Sequence, residues 1–312
     1  MGFTNQRTAY GSTLVALGLE NSNIVALEAD LGKSTMSCMF KEKFPERYFE
    51  MGIAEQNMAS VAAGLSLTGK IPFIHSFAVF ASGRAYDQIR QVIALGRLNV
   101  KICGSSAGLS DFGDGATHQS VEDIALMRAI PHMIVLCPAD ANETVKAVRA
   151  MAGADGPCYI RINRNDVENV TGEDTPFAIG EPTVLQDGTD CVVFATGIMA
   201  VRALEAARRL DGKISVKVVN VSTLKPIHEE KIIELAKDCK GVVTAEEHSV
   251  IGGLGSAVAQ ALSRQCKPIG FVGLRDTFGC SAHGYDELLE YYGLTVEAII
   301  KAVEDTHHSR PA

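Results

Sequence analysis

The chain has no apolar run longer than a strand. A membrane-spanning helix needs about 20 such residues, so no such span is expected. The opening segment Met1–Arg7 lacks the apolar core of a secretion signal. Gln6 stands where a Met-Gly myristoylation site calls for Ser or Thr. Cysteine pairs at CxxC spacing are absent: the eight cysteines, at 38, 103, 137, 158, 191, 239, 266 and 280, are scattered. Most lie in or beside apolar runs, the pattern of buried reduced thiols, and that points to the cytoplasm. Basic residues are in deficit, 29 against 37 acidic ones, for a net charge of −8. That balance argues against nucleic acid as a partner. A dinucleotide fingerprint is missing too. Gly252-Gly253-Leu254-Gly255 has neither its spacing nor its acidic partner, and reads as a turn where backbone passes closely.

What is present suits an α/β protein. With 312 residues, 46% of them hydrophobic, the chain can build about two cored domains. Short apolar runs, Ile24–Leu27, Ile71–Ile74, Val100–Cys103, Met133–Leu136 and Cys158–Ile162, read as buried strands. Met58, Val61, Ala62 and Leu65 fall at the spacing of one helix face. Asp140 stands as the N-cap of a helix over Ala141–Ala152. The alternation predicts a mostly parallel sheet covered by helices. A polar stretch, roughly Asp166–Gly188, breaks it and reads as an interdomain connection. Strands at Cys191–Ala195, Val216–Asn220, Val242–Thr244 and Ile269–Leu274 then alternate with helices near Ala200–Leu210, Glu229–Cys239 and Leu254–Ser263. The division expected is 1–172 for the first domain, 173–188 for the connection and 189–312 for the second. The end, Thr306–Ala312, reads as a frayed tail in which His307 and His308 hold no metal.

Three motifs in the first 120 residues carry chemistry. Glu55, in Gly52-Ile53-Ala54-Glu55-Gln56-Asn57, opens the apolar helix face, where burial is expected to keep a carboxyl protonated. A helix-start Glu is also favoured by the helix dipole alone. Phe77 and Phe80 follow the strand Ile71–Ile74, placed to stack on a flat ring or simply to fill a core. His75, at the strand end, reads as structural. The loop Ser105–Gln119 is small, polar and Gly-rich and follows a strand, the end of an α/β sheet where ligands bind. In it Asp114 and His118 are the candidates for hydrogen bonding and proton transfer.

Gly52–Asn57, Ser76–Arg90 and Asp111–Glu122 together resemble the pyrimidine-binding domain of transketolases. Thr244–Gly255 resembles the transketolase C-terminal domain. The resemblance covers essentially the whole chain. It is closest to the C-terminal subunit of split transketolases, whose diphosphate-binding half is a separate polypeptide. It implies two α/β domains and thiamine diphosphate as cofactor. Glu55 would activate the cofactor, Phe77 and Phe80 would line its aminopyrimidine pocket, and Asp30 would lie near it. Arg7, Ser34 and Arg164 would receive the sugar phosphate, a use suited to guanidinium forks. Asp114 would read a hydroxyl next to the carbonyl, and His118 would meet hydroxyls and the carbonyl oxygen. Glu246-Glu247-His248 reads as an interface or domain junction.

Two positions depart from the family pattern. Ser106 replaces a phosphate-contacting His, and Gly83 replaces a third aromatic. An unusual sugar phosphate therefore becomes a candidate substrate. The diphosphate-and-metal signature is a Gly-Asp-Gly followed some 25–30 residues on by paired Asn. Gly113-Asp114-Gly115 imitates it, but Asn142 is single and lies inside a helix. Magnesium ligands are thus expected on a partner chain, none on this one, within an α2β2 assembly. Other readings remain: the beta subunit of a 2-oxo acid dehydrogenase decarboxylase, half of a deoxyxylulose-phosphate synthase-like enzyme, or a non-catalytic scaffold.

Overall fold

The computed structural model describes residues 5–309. The Met-Gly opening and the last three residues of the expected tail lie outside them. Twelve strands are described: β1 (Ile24–Glu28), β2 (Tyr48–Glu50), β3 (Ile71–Phe77), β4 (Lys101–Ser105), β5 (Ile134–Leu136), β6 (Cys158–Arg161), β7 (Thr183–Gln186), β8 (Cys191–Ala195), β9 (Val216–Asn220), β10 (Thr223–Lys225), β11 (Gly241–Ser249) and β12 (Ile269–Leu274). They form two sheets, ordered β10-β5-β6-β4-β3-β1-β2 and β12-β11-β8-β9-β7. All neighbours run parallel except β10 on β5 and β7 on β9. The expected fold class, two mostly parallel sheets covered by helices, is what the chain adopts. The central strands β1, β4, β6 and β8 are buried throughout, which is why they read as continuous apolar runs.

Several expectations change in detail. The connection expected over 173–188 contains β7, an edge strand of the second sheet that is only partly buried and so gives a weak apolar signal. β10 comes from the second half of the chain yet closes the edge of the first sheet. The helix over 55–67 buries Glu55, Met58, Ala59, Ala62 and Ala63, while Val61 and Leu65 sit at its margin. The end is not frayed through its first residues: a helix spans Val296–His308, capped by Thr295 and held by buried Thr306, whose hydroxyl donates to Ala302 O at 2.9 Å. Asp140 caps its helix as expected, accepting from Glu143 N at 2.8 Å. All eight cysteines are free; five are buried, and Cys266 and Cys280 are exposed. Among the described residues no helix is long and apolar enough to cross a membrane.

The two halves are joined by buried polar contacts. Arg161 pairs with Asp123 at 2.9 Å and donates across to Glu247 O at 2.8 Å. Glu247 accepts from Leu109 N at 2.7 Å, so the second half grips the base of the Gly-rich loop. Burial pushes the Glu247 carboxyl up to about 6. Glu246 accepts from Leu254 N and Gly255 N at 2.7 and 2.8 Å, filling the start of the helix Leu254–Ala261 with the chain's own carboxylate. Burial holds it near 7. His248 is buried and held near 4, its Nδ1 donating to Ser249 O and its Nε2 accepting from Ala125 N. Glu246-Glu247-His248 is therefore a domain junction. The glycines beside it are required: Gly252 has φ +80, and a Cβ on Gly253 would strike Glu246.

Candidate functional site

Most candidate residues follow the carboxyl ends of β1, β2, β3, β4 and β6, the edge where parallel sheets take ligands, and Arg7 lies in the helix Gln6–Glu20 that precedes β1. After β2 the chain turns through Gly52, at φ +67, into the helix that Glu55 opens. Glu50 holds this turn by accepting from Gly52 N, and accepts also from Asp30 N at 2.9 Å. Asp30 is exposed. Its backbone, not its carboxylate, carries that bond. With Ser34 it lines a cleft of about 380 Å³ whose rim includes Lys33, Tyr48 and Glu50.

Glu55 is 1% exposed. Its two oxygens each lie 2.8 Å from Arg84 Nη1, and Ser76 Oγ donates to one of them at 3.4 Å. The guanidinium carbon of Arg84 sits 4.4 Å over the Phe80 ring. Phe77 and Phe80 are nearly parallel, with centroids 6.2 Å apart. His118 meets both edge-on, at 6.2 and 5.4 Å. The three separate motifs thus converge on one spot. Arg84 reaches it through a π-turn, in which Ala85 N donates to Phe80 O at 3.3 Å; such turns recur at functional sites. Glu55 carries a cationic partner in this arrangement. That partner is informative about fit. A flat, N–H-bearing cation rests on an aromatic face and donates to a buried carboxylate, as a protonated aminopyrimidine ring would.

The second group centres on two arginines. Arg7 Nη1 donates to Ser34 O at 3.0 Å. Arg164 pairs with Asp111 at 2.7 Å. Burial, then the charge of Arg164, lower the Arg7 pKa, while Asp111 and Asp166 oppose the shift. Asp111 is buried and its pKa is raised by burial, with Arg164 pulling the other way. It is also within electrostatic reach of Asp114 and His118, which links the two groups. Asp114 is exposed at the tip of the loop, and His118 Nδ1 lies 2.9 Å from the Thr117 hydroxyl. Asn142 faces elsewhere, donating to Thr171 O at 2.6 Å, so it makes no pair with Asp114. His75 is buried between Tyr10 and Leu27 O.

Sequence reasoning passed over Arg84 and Asp111. A Gly-flanked arginine four residues past the second Phe, and an acid three residues before Asp114, were the only signals available.

Known proteins resemble this chain along its length. Residues 4–169 match the family described as transketolase, pyrimidine binding domain, and residues 180–299 match transketolase, C-terminal domain. A Methanocaldococcus jannaschii protein, named provisionally as a transketolase C-terminal section, is 46% identical over 96% of this chain and 96% of its own. A Clostridium protein named 6-deoxy-6-sulfo-D-fructose transketolase subunit is 42% identical over 96% of this chain and 93% of its own. A solved structure described as a split gene transketolase, inactive beta4 tetramer, superimposes with a TM-score of 0.89 at 48% identity, covering 98% of this chain and 99% of that one.

Proposed function

Because the chain belongs to the transketolase family, we propose that it is the pyrimidine-binding half of a split, thiamine diphosphate-dependent transketolase. The reaction breaks the C2–C3 bond of a ketose phosphate and joins the two-carbon ketol unit to the aldehyde carbon of an aldose phosphate. The observation that carries this reading is the buried carboxylate of Glu55, paired with an arginine that rests on the Phe80 ring, which His118 meets edge-on. When bound, the cofactor supplies a carbanion at its thiazolium ring that accepts the ketol unit. This chain's residues do the rest. Glu55 would exchange a proton with the aminopyrimidine nitrogen in place of Arg84. Phe77 and Phe80 would offer that ring an aromatic wall. His118, flanking the same wall, would hold or move the proton on the donor's carbonyl oxygen. Asp114 would read the neighbouring hydroxyl, Asp30 would stand at the rim, and Arg7, Ser34 and Arg164 would receive the sugar's anionic tail.

The remaining parts of the reading follow from what this chain offers. Asn142 is spent on Thr171 O, so the diphosphate and Mg2+ are assigned to a separate partner chain, in an α2β2 assembly in the cytoplasm. The domain division is drawn at 1–172 and 189–312, with β7 of the connection serving the second sheet. The loss of His at position 106 favours an unusual sugar over the common pentose and heptose phosphates.

The test is turnover of ketose phosphates with glyceraldehyde 3-phosphate, thiamine diphosphate and magnesium. It is run with the chain alone and with a diphosphate-binding partner. Activity in the mixture alone, abolished by Glu55→Ala, is the expected result. Equal activity from the isolated chain would overturn the split assignment. Release of CO2 from a 2-oxo acid, without ketol transfer, would overturn the transketolase one.

A further inference from the structure

The anion subsite carries less positive charge than its two arginines suggest. Arg7 and Arg164 alone would present two guanidiniums, a match for a phosphate dianion. Asp111 changes the count. It is 1% exposed, and its Oδ1 lies 2.7 Å from Arg164 Nη1, so one arm of that fork is already taken. Its charge also acts on Arg7, as does that of Asp166, which Asn5 holds at 2.9 Å. Two cations against Asp111, with Asp166 beside Arg7, leave a net of at most about one positive charge.

Three further polar atoms, of Asp111, of Arg7 and of Ser106 in the same Gly-rich loop, are unsatisfied. Asp111 Oδ2, Arg7 Nε and the Ser106 hydroxyl are all buried and have no hydrogen-bond partner among the described residues. Buried polar atoms are nearly always satisfied, so such a group marks where ligand atoms complete the set. Ser106 is held at φ +52, a backbone conformation uncommon for a residue with a side chain. A serine there adds a neutral donor where a cation would have helped bind a second negative charge.

We propose that Asp111 is a specificity-determining residue that sets this subsite for ketoses whose tail carries a single negative charge, as a sulfonate does, over a phosphate dianion. The inference rests on the transketolase reading above. A monoanion pairs with Arg7 and the free arm of Arg164 and accepts from Ser106. Asp111 Oδ2 then accepts from a hydroxyl of the sugar. A dianion would face the Asp111 carboxylate with its second charge unmatched.

The experiment uses the chain mixed with its partner subunit. Specificity constants are compared for a 6-phospho ketohexose and its 6-deoxy-6-sulfo analogue. Erythrulose, a ketose with no charged tail, serves as a donor for the wild-type mixture. The wild type should favour the sulfonate about tenfold or more, through KM. Asp111→Asn should shift the phosphate-to-sulfonate ratio toward phosphate by about tenfold. Lowering the pH toward 5.5, where a phosphate ester is largely monoanionic, should narrow the wild-type preference. Ser106→His leaves Asp111 in place and should move the ratio the same way, which keeps the test open if Asp111→Asn folds poorly. Turnover of erythrulose with a phosphate preference in the wild type, or a ratio unmoved by both variants, would overturn the proposal and leave the transketolase reading standing. Failure to turn over any of the three ketoses would remove both.

Discussion

Arg84→Ala should destabilise the isolated chain more than Glu55→Ala, although the two residues form one ion pair. The asymmetry comes from burial: the Arg84 side chain is 39% exposed and that of Glu55 is 1% exposed. Deleting Glu55 lets the guanidinium swing to water and loses little more than a partly screened pair, about 1 kcal/mol. Deleting Arg84 leaves a carboxylate in the core with only a 3.4 Å bond from Ser76. Orphaning a fully buried charge costs about 3–5 kcal/mol, and partial solvent access near Arg84 reduces this to about 2–3 kcal/mol. For a chain of this size that is a melting temperature lower by roughly 3–5 °C. The double variant should melt close to Glu55→Ala, a coupling of about 2–3 kcal/mol. The same logic reaches the cofactor. If an aminopyrimidine takes the place of Arg84 on Glu55, Arg84→Ala removes a competitor. Thiamine diphosphate should then bind the partnered enzyme more tightly, by about tenfold, in isothermal titration. An Arg84→Ala variant that melts no lower than Glu55→Ala, or binds cofactor more weakly, would refute the reasoning.

Glu28 gives a pH signature. It is fully buried, and burial pushes its carboxyl up to about 7 against bonds from Ser37, Thr35 and Ala29 N. A folded-state pKa above the unfolded value of about 4.3 gives stability that is present at low pH and lost as pH rises through 7. Glu28→Gln cannot ionise. Its advantage over wild type should therefore grow between pH 4.5 and pH 8, by up to about 3 kcal/mol, in urea midpoints. A flat difference would contradict the burial argument. Asp140 tests the grip on the interdomain connection. It is fully buried and accepts from Glu143 N, Val170 N, Thr171 N and Thr171 Oγ1, at 2.8, 2.7, 2.6 and 2.8 Å. Asp140→Ala loses a cap and orphans the buried Thr171 N–H and hydroxyl and the half-buried Val170 N–H, a cost of about 3–5 kcal/mol by chemical denaturation. A loss under about 1 kcal/mol would show the connection is held elsewhere.

The sequence was legible wherever one period controls one element. β1, β4, β6 and β8 announce themselves because both faces are buried, and Asp140 because a cap is a local event. β7 and β10 escaped because edge strands are short and partly wet, and because β10 pairs with a strand from the other half of the chain. At the site, Glu55, Phe77, Phe80 and His118 were legible as motifs and do converge. Arg84 was not, since its place depends on a π-turn that shifts residues off the ordinary helical period. Asp111 was not, since only the folded loop brings it to Arg164, 53 residues away by number.

Burial asymmetry separates the ion pairs that hold this protein together from those poised for a ligand. Asp123 and Arg161 are 0% and 5% exposed, and the arginine is further fixed by Ser120 O and Glu247 O. Neither member can re-partner without carrying a bare charge through the core, so that pair serves structure. Glu55–Arg84 and Asp111–Arg164 have a different build. In each the acid is 1% exposed and the arginine 39%. The buried acid demands a partner at all times, while its arginine can trade the pair for water at small cost. A ligand that offers the acid an N–H, or the arginine an anion, needs to overcome only that small difference. Both such pairs lie at the carboxyl edge of the first sheet, and the locked pair lies at the junction between the halves. On the proposed function, the chemistry is placed where charge can be exchanged, and rigidity where it cannot.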